Sequence, residues 1–211
     1  MLRFTIFRED VIMLDVIKDE YTIIKKNNSI DGLLNSASEY LWNLEKCGLE
    51  KKSNYLISSE CNEFNYNGYL EERWMISQPQ KKSGLKIDII ISILELYFLI
   101  KQIKNCGLIG VVSGLEKVRR KNKKYAVDKQ LIIDKYKTYL IKIFPLISKK
   151  SNCLSYSFFL ASKLNQHGVP AVLVIGVRTQ PFYSHAWVEL DGVVINDDPK
   201  LREKLSVILV I

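Results

Sequence analysis

The fold is decided by residues 171–197, which read Ala171-Val-Leu-Val-Ile-Gly-Val-Arg-Thr-Gln-Pro-Phe-Tyr-Ser-His-Ala-Trp-Val-Glu-Leu-Asp-Gly-Val-Val-Ile-Asn-Asp197. The continuous apolar run over 171–177 predicts a strand that is buried on both faces of a sheet. Two more strands are predicted over 184–190 and 193–197, joined by the turn formers Asp191-Gly192. These three segments predict an antiparallel sheet.

A helix is predicted immediately before this sheet. Ser151 is a suitable N-cap, apolar residues follow at helical spacing, and Gly168 with Pro170 ends the helix. Cys153 falls in the first turn, where unpaired N–H groups and the helix dipole stabilise a thiolate. A thiolate, the imidazole of His185 and a carboxylate on the next strand are the three groups that a thiol hydrolase needs.

Which carboxylate faces the imidazole depends on the hairpin that follows. A two-residue turn at Asp191-Gly192 places His185 opposite Asp198. A three-residue loop, with Gly192 left-handed in a bulge, places His185 opposite Asp197. The residues suit both geometries, so the local pattern leaves Asp197 and Asp198 open.

Residues 1–80 are predicted to form a small α+β module. Strands are predicted over residues 2–6, 11–17 and 21–24, with a polar turn at 18–20. A helical pattern follows over 33–44, and the turn formers and charges of 77–84 make that segment the best linker candidate. The predicted domains are therefore 1–80 and 81–211, and the fold class is α+β.

The segment 85–144 has a helical pattern throughout. Breaks are predicted near Gly107 and in the charged run 119–124, which gives three helices, and Pro145 is expected to close the third.

The net charge of +8 belongs to the middle of the chain. Residues 81–150 contain 17 Lys or Arg against 5 Asp or Glu, so the remainder is net negative. The densest run, 117–124, could bind phosphates, but no aromatic residues interleave there to stack bases. A solvated helix face is the favoured interpretation, and nucleic acid is not an expected partner.

Cysteine usage and hydropathy indicate the compartment. The four cysteines form no CxxC pair, so no metal site, disulfide framework or cofactor is expected; they are Cys47, Cys61, Cys106 and Cys153. The apolar run 87–100 contains Asp88 and Glu95 and is too short to span a bilayer. The N-terminus lacks a signal-peptide pattern, and the protein is expected to be cytoplasmic.

Several stretches spread over the chain form a recognisable series. They are Arg8-Glu-Asp-Val-Ile-Met-Leu-Asp15, Leu70-Glu-Glu-Arg-Trp74, Cys153-Leu-Ser-Tyr-Ser157, Val174-Ile-Gly-Val-Arg-Thr-Gln-Pro-Phe-Tyr-Ser-His-Ala-Trp-Val-Glu189 and Val194-Ile-Asn-Asp197, followed by Lys204-Leu-Ser-Val-Ile208. With this series the chain resembles the lasso-peptide B proteins along essentially its full length.

The resemblance implies a fold and a reaction. Residues 1–80 would be a winged-helix-like RiPP recognition element that binds a leader peptide, and 81–211 a transglutaminase-like (papain-type) cysteine peptidase. The family's nucleophile, base and acid fall on Cys153, His185 and Asp197. This choice of acid predicts the three-residue loop, with Gly192 left-handed, for the hairpin. The enzyme would remove the leader from a ribosomal lasso-peptide precursor of the microcin type. It would pass the core to an ATP-dependent, asparagine-synthetase-like cyclase.

Other candidate residues follow from these expectations. An extended leader could add to the edge of the N-terminal sheet, with contacts at Tyr21, Thr22, Ile23 and Ile24. The backbone N–H of Cys153 could donate to the oxyanion, with Asn152 as a possible side-chain donor. Trp187 shares a face with His185 and is a candidate pocket wall, whereas His167 is interpreted as structural.

Two rival functions use the same residues differently. Acyltransferases and transglutaminases use a Cys, His, Asp order to transfer an acyl group to an amine instead of water. A non-catalytic binder of peptide or nucleic acid would not need a reactive Cys153.

Overall fold

The computed structural model describes residues 1–8, 10–25, 87–121, 128–147 and 153–211. Several predictions lie outside these ranges: the helix over 33–44, the linker over 77–84 and the cap at Ser151. The candidate donor Asn152 also lies outside them.

The N-terminal strands form a three-stranded antiparallel sheet. They are β1 (Leu2–Phe7), β2 (Asp10–Asp15) and β3 (Glu20–Ile24), in the order β1-β2-β3. The three predicted strands are thus confirmed. At the polar turn, Asp15 Oδ1 accepts hydrogen bonds from the backbone N–H groups of Ile17 and Lys18, which closes the chain onto β3.

The middle of the chain is helical, as predicted. The helices are α1 (Ile87–Lys121), α2 (Lys129–Ile147) and α3 (Cys153–Gln166). The predicted break at Gly107 is a kink within α1, where φ is +57° and ψ is −150°, a conformation open to glycine alone. The expectation that Pro145 ends its helix is wrong, because α2 continues to Ile147. A proline in a last turn removes only one backbone donor there.

The C-terminal part is a four-stranded antiparallel sheet. Its strands are β4 (Val172–Arg178), β5 (Tyr183–Leu190), β6 (Val193–Val194) and β7 (Ser206–Val210), in the order β6-β5-β4-β7, with the short helix α4 (Leu201–Lys204) before β7. The central strand β4 is almost fully buried, as its apolar run predicts. The sequence pattern did not predict β7 as a strand.

The two sheets share one hydrophobic core. Ile12 and Leu14 of β2 belong to the same buried cluster as Phe158 of α3 and Leu173 of β4. At the junction of the sheets, Ser206 Oγ donates a hydrogen bond to the carbonyl of Ile6 at 2.5 Å. The N-terminal strands are therefore packed against the sheet that carries His185. Within the described helices, none is long and apolar enough to cross a membrane.

Candidate active site

Cys153 is the first residue of α3 and faces strand β5. The helix is attached to that strand by Ser157, whose Oγ donates to the carbonyl of Ala186 at 2.9 Å. Because Ser157 lies one turn after Cys153, this bond fixes the start of α3 beside His185. The thiol is partly exposed, so it remains accessible to a substrate.

His185 lies in the middle of β5 and is 7% exposed. Its Nε2 is 2.7 Å from Oδ2 of Asp197, and the two side chains are equally well buried. The other ring nitrogen, Nδ1, is left for the thiol of Cys153, with which His185 forms a side-chain hydrogen bond. The Tyr183 hydroxyl approaches the same Nδ1 at 3.4 Å. The imidazole thus lies between a thiol and a carboxylate.

The hairpin after His185 does not contain the three-residue loop that was expected to place Asp197 opposite the imidazole. The structure pairs Leu190 with Val193 across a two-residue turn, in which Asp191 and Gly192 have φ of +51° and +80°. The three-residue loop is therefore wrong: two consecutive left-handed residues form the hairpin turn that matches strand twist.

A bend after β6 brings Asp197 onto His185 in spite of that register. The β5–β6 ladder ends after two pairs. Ile195 N–H still donates to the Val188 carbonyl, but Val188 N–H donates to the side chain of Asn196, at 2.7 Å, instead of to a strand carbonyl. A side-chain acceptor releases the backbone from the ladder. The bend that follows aims Asp197 back at the ring.

Asp198 faces away from the imidazole. Its Oδ1 accepts the Lys200 N–H at 2.9 Å, its Oδ2 pairs with the Lys204 ammonium, and its own N–H donates to Asp197 Oδ1 at 2.8 Å. Asp198 therefore caps the turn before α4 and helps to orient the neighbouring carboxylate.

Electrostatics favour the charged forms of Cys153 and His185. Burial alone would raise the pKa of the Cys153 thiol, but the hydrogen bond and charge of His185 outweigh it. Backbone hydrogen bonds from Ala186 and Leu154 add to that effect, and the pKa is lowered. Burial likewise opposes the imidazolium, yet the hydrogen bonds of Asp197 and Cys153 raise the pKa of His185 to about 9. The arrangement therefore stabilises a thiolate–imidazolium pair near neutral pH.

Trp187 supports the imidazole from behind. The two rings are nearly parallel, 22° apart, with centroids separated by 6.3 Å, and Trp187 is fully buried. Its Nε1 donates to Glu189 at 2.7 Å, and Glu189 accepts two hydrogen bonds from Arg202, at 2.8 and 2.9 Å. Gly176, opposite His185 on β4, leaves the space that the indole fills. Trp187 is thus a buried support, not a wall open to substrate.

Sequence reasoning missed three residues of this site. Two of them, the buried Glu189 and the partly exposed Arg202, form an ion pair, and no local periodicity connects them. Tyr156, one turn after Cys153, is fully buried, and burial together with the charge of Asp197 raises the pKa of its hydroxyl. The available signal for Tyr156 was its place in the stretch Cys153-Leu-Ser-Tyr-Ser157.

The remaining candidates are placed as follows. His167 contacts the Tyr136 hydroxyl through Nε2 at 2.6 Å, in keeping with its structural interpretation. Cys106 is exposed, while Cys47 and Cys61 lie outside the described residues. Arg119, in the basic run, donates to the carbonyls of Ala171 and Ile211 at 2.9 and 2.8 Å. The Arg119 guanidinium therefore holds α1 against the C-terminal sheet and is not positioned as a phosphate ligand.

Strand β3, which carries the candidate leader contacts, is the outer strand of its sheet. Thr22 and Ile23 are exposed, whereas Tyr21 and Ile24 are partly buried. The outer edge of β3 pairs with no other strand among the described residues.

Comparison with known proteins agrees with this geometry. The model of the transglutaminase-like superfamily matches residues 103–210, which include all three members of the Cys, His, Asp arrangement. Over 213 aligned positions the chain is 37% identical to the microcin J25-processing protein McjB of Escherichia coli, with 99% of each chain covered. This chain therefore belongs to the lasso-peptide B proteins, within the transglutaminase-like superfamily. No solved structure is significantly similar to it.

Proposed function

We propose that this protein is a cysteine endopeptidase that removes the leader peptide from a lasso-peptide precursor. The observation that carries the proposal is the contact chain from the Cys153 thiol through His185 to Asp197, in which the imidazole is buried and its pKa is raised to about 9. The relative from Escherichia coli is a microcin J25-processing protein, which supports a precursor peptide as the substrate.

In the proposed reaction, the Cys153 thiolate attacks the carbonyl carbon at the leader–core junction and a C–S bond forms. The backbone N–H of Cys153 lies at the start of α3 and is the proposed donor to the oxyanion. When the oxyanion collapses, the C–N bond breaks and the His185 imidazolium gives its proton to the departing core amine.

The second half of the reaction regenerates the enzyme. Neutral His185 takes a proton from water as that water attacks the thioester, which releases the leader as a carboxylic acid and restores the thiolate. Asp197 holds the ring by its Nε2 throughout, so that Nδ1 stays directed at the sulfur. The core leaves with a free amino group, the nucleophile that the proposed ATP-dependent cyclase partner needs.

Leader capture is proposed for the N-terminal sheet. An extended peptide can add to an open strand edge through main-chain hydrogen bonds. The exposed residues Thr22 and Ile23 of the outer strand β3 support this location. A winged-helix form for residues 1–80 and a cytoplasmic location stay predictions.

The test uses the full chain and a synthetic precursor copied from the short gene expected beside this one. Wild-type protein should yield leader acid and free core by mass spectrometry. Cys153→Ala should yield precursor only while retaining leader binding in fluorescence anisotropy, because the substitution is small and Cys153 is not among the candidate leader contacts on β3. Cys106→Ala, a change at an exposed cysteine, is the matched control and should cut normally.

Two outcomes contradict the proposal. Substantial released core from a folded Cys153→Ala variant would show that Cys153 is not the nucleophile. A product in which an added primary amine is joined to the acyl fragment, with no hydrolysis, identifies an acyltransferase instead.

A further inference from the structure

Tyr21 joins the outer strand of the recognition sheet to the strand of the catalytic imidazole. Its hydroxyl lies 3.0 Å from Ser184 Oγ, and Ser184 directly precedes His185. The Tyr21 ring also packs on Phe182 of the β4–β5 loop, at 5.2 Å between centroids and 57° between planes. One side chain thus contacts two positions within three residues of His185.

The start of β3 has a second attachment on the peptidase part. The Asp19 carboxylate accepts a hydrogen bond from the backbone N–H of Leu108, directly after the α1 kink, and also lies beside Gly107. Strand β3 begins at Glu20, so the contacts of Asp19 and Tyr21 lie on either side of its first residue. Two contacts on different elements restrict rotation as well as translation of the strand. The strand edge therefore has a defined position relative to His185.

The Tyr21 hydroxyl also interacts electrostatically with Cys153. Burial, above all, raises the pKa of this hydroxyl; the hydrogen bond with Ser184 opposes that effect, and the charges of Asp19 and Cys153 add to it. The hydroxyl consequently stays protonated at neutral pH and can act as a donor to Ser184. A leader paired with β3 would pass beside this contact on its way to the thiol.

We propose that Tyr21 is a positioning residue that couples leader capture to cleavage, because its hydroxyl bond to Ser184 holds the leader-binding strand in register with His185. This inference rests on the proposed peptidase function and on leader addition to β3. Thr22 and Ile23, which are exposed, supply affinity at the edge. Tyr21 supplies the placement of the bound precursor over Cys153.

The cleavage rate depends steeply on the position of the bound substrate relative to the nucleophile. A displacement of a bound substrate by about 1 Å can lower a rate by about 10²-fold, even when affinity is unchanged. Loss of one hydrogen bond between the strand and β5 permits small displacements of that kind. The expected signature is therefore a loss in the cleavage step and not in leader binding.

The experiment compares Tyr21→Phe, which keeps the ring and its packing on Phe182, with Ser184→Ala and the double variant. Single-turnover cleavage at saturating precursor should fall about tenfold in each single variant, within the range for a slightly misplaced substrate. The double variant should lose no more than either single one, because both changes remove the same bond. Tyr97→Phe, at an exposed tyrosine of α1, is the control.

Three further measurements separate positioning from stability, binding and triad damage. The melting temperature, the leader affinity in the Cys153→Ala background and the rate of Cys153 alkylation by iodoacetamide should all stay at wild-type values in Tyr21→Phe. Unchanged cleavage, additive losses, or weaker leader binding with a normal saturating rate would each overturn the coupling role. If wild-type protein fails to cut the precursor at all, the proposed function fails instead.

Discussion

Substituting Asp197 by asparagine removes the charge beside His185 while keeping a side chain of similar shape. Burial by itself lowers the pKa of His185. The hydrogen bond that His185 donates to Asp197 is the largest interaction opposing burial, and together with the contact to Cys153 it raises that pKa to about 9. Relative to an ordinary histidine near pKa 6.5, this stabilises the imidazolium by about 3 kcal/mol. The 2.7 Å contact with Asp197 supplies a large share of that energy, because the pair is almost excluded from water.

The sign of the pH effect follows from the two charged forms that cleavage needs. Activity rises with pH as Cys153 loses its proton, at a lowered pKa, and falls through about pH 9 as His185 loses its own. In Asp197→Asn the alkaline limb should move to lower pH by about one unit or more. The same shift makes His185 a source of stability that is complete below about pH 6.5 and is lost as pH rises through about 9.

Cleavage rates of two Asp197 variants should separate the effect of the carboxylate charge from the effect of Asp197 on the orientation of the His185 ring. Asp197→Asn still offers an oxygen acceptor to Nε2, so kcat/KM at neutral pH should fall by only about 10- to 10²-fold. Asp197→Ala also loses orientation and should fall by about 10² to 10⁴. Asp198→Asn, which changes the adjacent acid paired with Lys204, is the control and should cut at nearly the wild-type rate.

Two assays read the effect. Mass spectrometry follows precursor cleavage across the pH range, and iodoacetamide alkylation of Cys153 follows the thiolate without any substrate. An alkaline limb that stays in place in Asp197→Asn, or a larger loss in Asp198→Asn than in Asp197→Ala, would refute the assigned pairing.

Two changes in the residues around His185 should also disturb the site, one through stability and one through cleavage. In Gly176→Ala the added methyl would lie 2.5 Å from the ring of Trp187, which is buried and has no space to move away. Overpacking of about 1–3 kcal/mol should lower the melting temperature by about 3–10 °C in a scanning calorimeter. A wild-type melting temperature would contradict this. In Asn196→Ala the Val188 N–H loses its buried acceptor, at a cost of about 1–3 kcal/mol. Cleavage should fall because the bend that positions Asp197 relaxes. Val193→Ala, an exposed change in the same hairpin, is the control, and equal losses in the two variants would contradict the role of Asn196 in that bend.

Local patterns predicted much of the fold because many segments have one simple hydrophobic pattern along their whole length. The alternation of Leu2, Phe4 and Ile6 predicts β1, and the unbroken apolar run at 171–177 predicts the buried strand β4. Both strands are confirmed. Strand β7 was missed because its five residues follow α4 with no turn former between them, so no local signal separates the two elements.

The supporting residues of the site were beyond sequence reasoning. The contact between Glu189 and Arg202 joins β5 to α4 across thirteen positions, and nothing in either segment specifies the other. Glu189 is 1% exposed on a strand that also carries Trp187, so its charge requires a partner that the local pattern does not name. Tertiary packing decides such pairs.

The choice between Asp197 and Asp198 shows how a right partner can follow from a wrong register. Strict continuation of the two-residue hairpin would place Asp198 opposite His185, and only a departure from the ladder can exchange the two acids. That departure begins at Asn196, whose side-chain oxygen takes the place of a backbone acceptor for Val188. Side-chain capture of one N–H is a local event that strand periodicity does not encode. The residue that selects the acid in this chain is therefore the asparagine before it, and not the turn that was expected to decide.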